Sequence, residues 1–228
     1  MVADNPAGKT LGSSGEKKLP VLSYSRPGPE SISDEAESAA RAGVAQAYGR
    51  LPLSFEANQG QADPRVKFLS HGSDYALFLT PNESVLVLNG PVPEDSAAVR
   101  ENRSEVKRQR AVLRMKLAGA NPLPEVEGLD EREGKTNYFI GKDASKWRTN
   151  VARFARVQYR GVYPGVDLIY YGSRERIEFD FVVAGGADFR KIRLEIKGAK
   201  KMRLDVTGDL VLTTSVGEVR QYLSLIHI

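Results

Sequence analysis

Apolar residues recur at every second position through most of the second half of the chain. Val157/Tyr159, Val166/Leu168/Tyr170 and Ile177/Phe179/Phe181/Val183 alternate with Arg156, Gln158 and Arg160, with Asp167, and with Glu178 and Asp180. Successive side chains of a strand point to opposite faces, so the alternation predicts strands with one buried and one wet face. Gly161, the Tyr163-Pro164-Gly165 turn and Gly172-Ser173 separate these runs. Pro fixes φ and Gly accepts positive φ, as a tight reversal requires. Lys135 to Ala184 therefore reads as an antiparallel meander at the centre of the domain.

The pattern extends to both sides. Val66 to Leu69, Tyr75 to Leu79 and Ser84 to Leu88 are short apolar runs split by polar turns, and Arg110 to Leu117 places Leu113, Met115 and Leu117 on one face. Further on, Ile192/Leu194/Ile196 and Met202/Leu204/Val206 alternate with charged residues, which predicts that both sets point inward. Thr207-Gly208-Asp209 then turns the chain into Leu210/Leu212, and Val211 to Thr214 and Val219 to Gln221 form a last pair. Roughly ten to twelve strands with almost no helix predict a mainly β fold, an antiparallel β-sandwich or two-sheet meander. The one helix expected, over 32–50, starts at the cap and acidic turn Ser33-Asp34-Glu35 and ends at Gly49. Residues 1–31 lack periodicity and read as disordered or linker. The β domain spans 51–222, with an exposed insertion at about 91–109.

Charge changes this picture little. The chain has 33 Lys and Arg against 29 Asp and Glu, a formal +4. Seven basic and two acidic residues fall between Val99 and Lys116, so the rest of the chain carries a net −1. A local excess of this kind gives no footprint for nucleic acid. Cysteine is absent, which excludes disulfides and thiolate chemistry and leans towards an exported protein. No apolar run is long enough for a transmembrane helix, and the first residues lack the apolar core of a signal peptide. The terminal Leu223 to Ile228, LSLIHI, matches the translation of a transposase-type sequencing adapter, so the natural chain is expected to stop near Gln221 or Tyr222.

Candidate chemistry is sparse. Asn58, Gln59 and Gln61 cluster with Glu56 around Gly60, where they either satisfy local backbone groups or contact a ligand. Trp147, Tyr170 and Tyr171 are the aromatics from which a sugar-stacking platform could be built, against a plain packing role for Trp147 and Tyr170. Glu178 and Asp180 share one strand face, the arrangement that paired-carboxylate chemistry on a glycoside would need, and equally a routine solvated pair. His71, in the turn His71-Gly72-Ser73-Asp74, reads as a surface residue, because no Gly-flanked nucleophile accompanies it. Asp143, Asp167, Asp180 and Asp188 lie near turns where a structural Ca²⁺ could bind, yet no EF-hand spacing is present. No cofactor and no catalytic residue are expected.

Several blocks carry a family resemblance: SFEANQGQADPRVKFLSHGSDYALFLTPNESVLVL from Ser54, NYFIGKDASKWRTNV from Asn137, YRGVYPGVDLIYYG from Tyr159 and EFDFVVAGGAD from Glu178. Together they resemble the uncharacterised N-terminal domain of exported bacterial proteins with SBBP (seven-bladed beta-propeller) repeats. The resemblance implies an exported or cell-surface protein, a propeller region following this domain in the same full-length chain, and no assigned activity. The function expected is a non-enzymatic structural or interaction module whose partners are that propeller and an extracellular polysaccharide or protein. The alternatives are a carbohydrate-binding module and, third, a glycoside-processing enzyme.

Overall fold

The longest strand, Arg148–Tyr163, is the seam on which the rest of the sheet is hung. The computed structural model describes residues 21–24, 52–72, 74–91, 108–173 and 176–222. Within them the strands are β1 (Val21–Tyr24), β2 (Phe55–Ala57), β3 (Phe68–His71), β4 (Tyr75–Leu79), β5 (Glu83–Asn89), β6 (Arg110–Leu117), β7 (Glu125–Tyr138) and β8 (Arg148–Tyr163). They continue as β9 (Val166–Gly172), β10 (Arg176–Val183), β11 (Leu194–Lys197), β12 (Lys201–Leu204), β13 (Leu210–Thr213) and β14 (Glu218–Tyr222). All pair antiparallel, in the order β11-β6-β5-β4-β3-β2-β8-β9-β10-β1-β14-β13-β12, with β7 on β8.

β7 occupies one edge of β8 from Arg148 to Arg160. The other edge is divided. Its first half pairs with β2 through Phe55↔Phe154 and Glu56↔Arg153, and its second half pairs with β9 through Val157↔Tyr170 and Tyr159↔Leu168. The sheet thus leaves β8 in two directions, and the halves curl over one core. Leu77, Leu86 and Leu113 from one half and Tyr170, Ile177, Phe179 and Leu212 from the other enclose a void of only about 30 Å³. Tyr159, Tyr170, Phe179 and Phe181 form a chain of ring contacts at 5.8, 5.6 and 6.0 Å. Such rings are the largest apolar contribution a core of this size receives.

Val157 and Tyr159 are buried, while Arg156 and Gln158 are half-buried and Arg160 is exposed, as the alternation predicts. The alternation then breaks: Val162 and Tyr163 are both buried. A β-bulge between Tyr159 and Tyr163 causes it. Gly161 takes φ +63° there and donates its N–H to Asp167 Oδ1 at 2.7 Å, so one residue drops out of the ladder. Gly165 at φ +72° completes the Pro164-Gly165 reversal into β9.

Two expectations are corrected. Val21–Tyr24, inside the stretch read as linker, is a strand between β10 and β14. A four-residue strand that completes a sheet by main-chain pairing leaves no mark in composition. Met202, Leu204 and Val206, expected inward, are 55, 71 and 104 % exposed. β12 is the last strand of the path, so its inward-pointing residues overhang the end of the core. The β7–β8 arm joins the two longest strands, of 14 and 16 residues. The expected helix at 32–50 and nearly all of the expected insertion at 91–109 lie outside the described residues.

Candidate functional site

The arm ends in a loop that follows the apolar triplet Tyr138-Phe139-Ile140. Phe139 and Ile140 are 62 and 59 % exposed and Trp147 is 39 % exposed, three large apolar side chains left bare at one loop. The Phe139 and Trp147 rings meet edge to face, with centroids 5.2 Å apart at 86°. The indole N–H donates to Gly141 O at 3.3 Å.

Local hydrogen bonds hold this tip. Asp143 caps the 3-10 turn Ala144–Lys146 by accepting from Ser145 N at 3.1 Å and Ser145 Oγ at 2.7 Å. Those bonds stabilise its ionised form and hold the carboxyl below the usual range. Arg148 donates to Ser145 O, to Trp147 O and, across the fold, to Gln59 O at 2.8 Å. Its guanidinium lies over Gly60, where a Cβ would sit 3.0 Å from Nε. The tip is therefore a braced surface.

The Asn58 to Gln61 cluster is that brace. Asn58 Nδ2 donates to Asp63 O and Val66 O at 2.9 Å, and Asn58 Oδ1 accepts from Gly60 N and Ala62 N. Gln61 Nε2 donates to Ala57 O at 2.8 Å, and its Oε1 accepts from Gln59 N. Asn58 and Gln61 spend their hydrogen-bonding capacity on the turn itself. Glu56 accepts from Thr136 Oγ1 at 2.9 Å and from the Tyr138 hydroxyl, locking β7 to β2. Partial burial and that carboxylate push the Tyr138 hydroxyl well above the ordinary tyrosine value.

Tyr170 and Tyr171 do not meet. Tyr170 is a core residue whose hydroxyl burial pushes up to about 12, whereas Tyr171 points to the opposite face and donates to Asp180 Oδ2 at 2.8 Å. The two side chains point to opposite faces of the sheet, and the ring packed on Trp147 is that of Phe139, perpendicular to it. Glu178 lies opposite Tyr171, on the face that Asp180 shares. Asp167 is engaged by Gln158 Nε2 at 2.9 Å and Gly161 N, and Asp188 caps the 3-10 turn Phe189–Lys191. Each of these aspartates serves its own local structure. No group of three or more metal-ligating side chains gathers among the described residues. His71 is exposed at the end of β3.

Two hollows are also found among the described residues. One of about 160 Å³, between the two halves at Tyr159, Tyr170, Ser84, Met115 and Leu168, is smaller than the roughly 300 to 1,000 Å³ of ligand pockets. The other, about 880 Å³, is the outer face of β4 to β6, with Phe78, Val85, Val87 and Val112 bordered by Lys67, Arg114 and Lys116. Sequence reasoning missed Phe139, Ile140 and Arg148. The signal available was Phe139-Ile140, two adjacent apolar residues that break the alternation just ahead of a Gly.

These features define an all-β domain whose notable surfaces are apolar contact areas on a curled antiparallel sheet. The chain belongs to the DUF7948 family, a domain of unknown function, which matches residues 55–226 and so runs into the terminal Leu223 to Ile228 segment. No curated protein and no solved structure matches it.

Proposed function

We propose that this domain is a non-enzymatic interaction module of an exported protein, which docks the β-propeller region expected to follow it in the full-length chain. The observation that carries the reading is the tip: Phe139, Ile140 and Trp147 stand exposed on a hydrogen-bonded loop at the end of a 16-residue strand. Apolar side chains held rigidly in water mark contact surfaces, since docking removes their area from solvent without a large ordering cost. Aromatic anchors of this type commonly dominate such contacts.

Calorimetric titration of the domain with the separately purified downstream region tests the proposal. Saturable binding is expected, with at least a tenfold loss in Trp147→Ala at an unchanged melting temperature. No heat with the wild type, or equal affinity in the variant, overturns it. A second reading, carbohydrate binding, draws on the exposed Trp147 ring, an aromatic face on which a sugar could stack. Retardation of the domain in polysaccharide-containing native gels, abolished in Trp147→Ala, would favour it over docking.

A further inference from the structure

β12 and β11 are the two ends of the strand path, joined by Gly198-Ala199-Lys200, and they do not pair with each other. Among the described residues β12 pairs only with β13, so its second edge presents unpaired backbone groups. Met202 lies opposite Leu212, and Leu212 lies opposite Val219. Leu212 and Val219 are buried, whereas Met202 is 55 % exposed and Leu204 71 % exposed. The apolar row of the core thus continues one strand too far, onto an edge where nothing described covers it.

The other face of β12 carries Lys201 and Arg203, with Lys200 just before them. Glu218 lies 3.5 Å from Arg203 in an exposed pair, while the neighbouring Asp205 and Asp209 are taken up by Arg220. A second copy of the chain placed antiparallel on this edge would set these cations against its own Lys and Arg, and like charges directly opposite are destabilising.

We propose that the free edge of β12 is a strand-addition site, and that its occupant is an extended segment of a partner protein in which apolar residues alternate with Asp or Glu. One face of the added strand covers Met202 and Leu204, the other neutralises Lys201 and Arg203, and main-chain hydrogen bonds extend the sheet. The site is independent of the Trp147 tip, so either assignment can fail without the other.

The test uses the full chain and a fluorescein-labelled decapeptide alternating Glu with Val, followed by fluorescence anisotropy at low salt. Controls are a Lys/Val alternating peptide and a non-alternating peptide with the composition of the first. Saturable binding of the Glu/Val peptide alone is expected, weakening as salt is raised, with slowed amide exchange at Met202 to Leu204. Leu204→Glu should weaken binding at least tenfold with an unchanged melting temperature, because the side chain is already exposed. The double variant Lys201→Glu/Arg203→Glu should reverse the preference towards the Lys/Val peptide. Three results overturn the proposal: equal binding of all peptides, concentration-dependent self-association that Leu204→Glu abolishes, or a melting temperature lowered by several degrees in Leu204→Glu. The last would mean that the chain already covers its own edge.

Discussion

Tyr159→Phe removes one oxygen and tests whether the two halves of the sheet are closed as described. The Tyr159 hydroxyl, on β8, donates to Thr80 O in the β4–β5 turn at 2.9 Å, and both residues are buried. A typical hydrogen bond contributes about 1 kcal/mol net, and an orphaned buried carbonyl costs up to about 3. Here the hollow of about 160 Å³ beside Tyr159 and Pro81 has room for water to reach the freed carbonyl, so the lower part of the range, about 1 to 2 kcal/mol, applies. For a domain of this size each kcal/mol shifts the melting temperature by roughly 2 to 4 °C, giving about 2 to 8 °C. Urea unfolding followed by circular dichroism reads the difference as a lower midpoint at constant slope. Tyr222→Phe is the control, since the Tyr222 ring keeps its place under Arg176, and it should change stability by less than about 0.5 kcal/mol. A Tyr159→Phe midpoint equal to wild type would show that the bond is not made in solution, and the closure of β8 on the β4–β5 turn would fall with it.

The same residue shapes the alkaline limit. Burial pushes the hydroxyl of Tyr159 well above its ordinary value and that of Tyr170 to about 12. The unfolded chain releases these protons near pH 10 while the folded chain retains them, so stability is whole below about pH 10 and falls between about 10 and 12. Unfolding free energy measured against pH should drop on that side, and less steeply in Tyr159→Phe.

Other outcomes follow from single contacts. Gly198→Ala should destabilise by more than about 2 kcal/mol in urea titration, because φ is +95° and a Cβ would sit 1.9 Å from Val112 O; Gly119→Ala, at φ +69° in open space, should cost only about 1 kcal/mol. Thr207, with help from Arg220, holds the Asp205 carboxyl down to about 2, so its contribution is present above the unfolded value near 4 and lost as pH falls towards 2; Asp205→Asn should flatten that acid limb. Arg148→Ala unties the tip from Gln59 O, and Trp147 emission should shift to the red and quench more readily with iodide while the melting temperature holds.

The strand faces were legible because alternation is a local property: Val157, Tyr159, Leu168, Phe179 and Phe181 are buried as their spacing indicates. Pairing partners were not. That β8 gives up half of the edge it shares with β9 to β2 depends on pairs nearly a hundred residues apart, such as Phe55↔Phe154, which no period reveals. Met202 and Leu204 show the limit of alternation most clearly, since period two assigns a face and says nothing about whether the sheet continues beyond it. The tip was half legible: Trp147 stood out as the lone Trp, while Phe139 gained its meaning only when the arm brought it to 5.2 Å from that ring. The Asn58 to Gln61 cluster was visible, but its hydrogen bonds to its own turn required coordinates.

Hydrogen exchange at residues 139–147, compared between the isolated domain and the natural full-length protein, bears most directly on the proposed docking role. Docking of the tip predicts amides that exchange at least tenfold more slowly in the full-length protein, with core amides such as those of Phe179 and Val157 unchanged. Identical tip exchange in both proteins would contradict it and leave Phe139, Ile140 and Trp147 without a partner in the same chain.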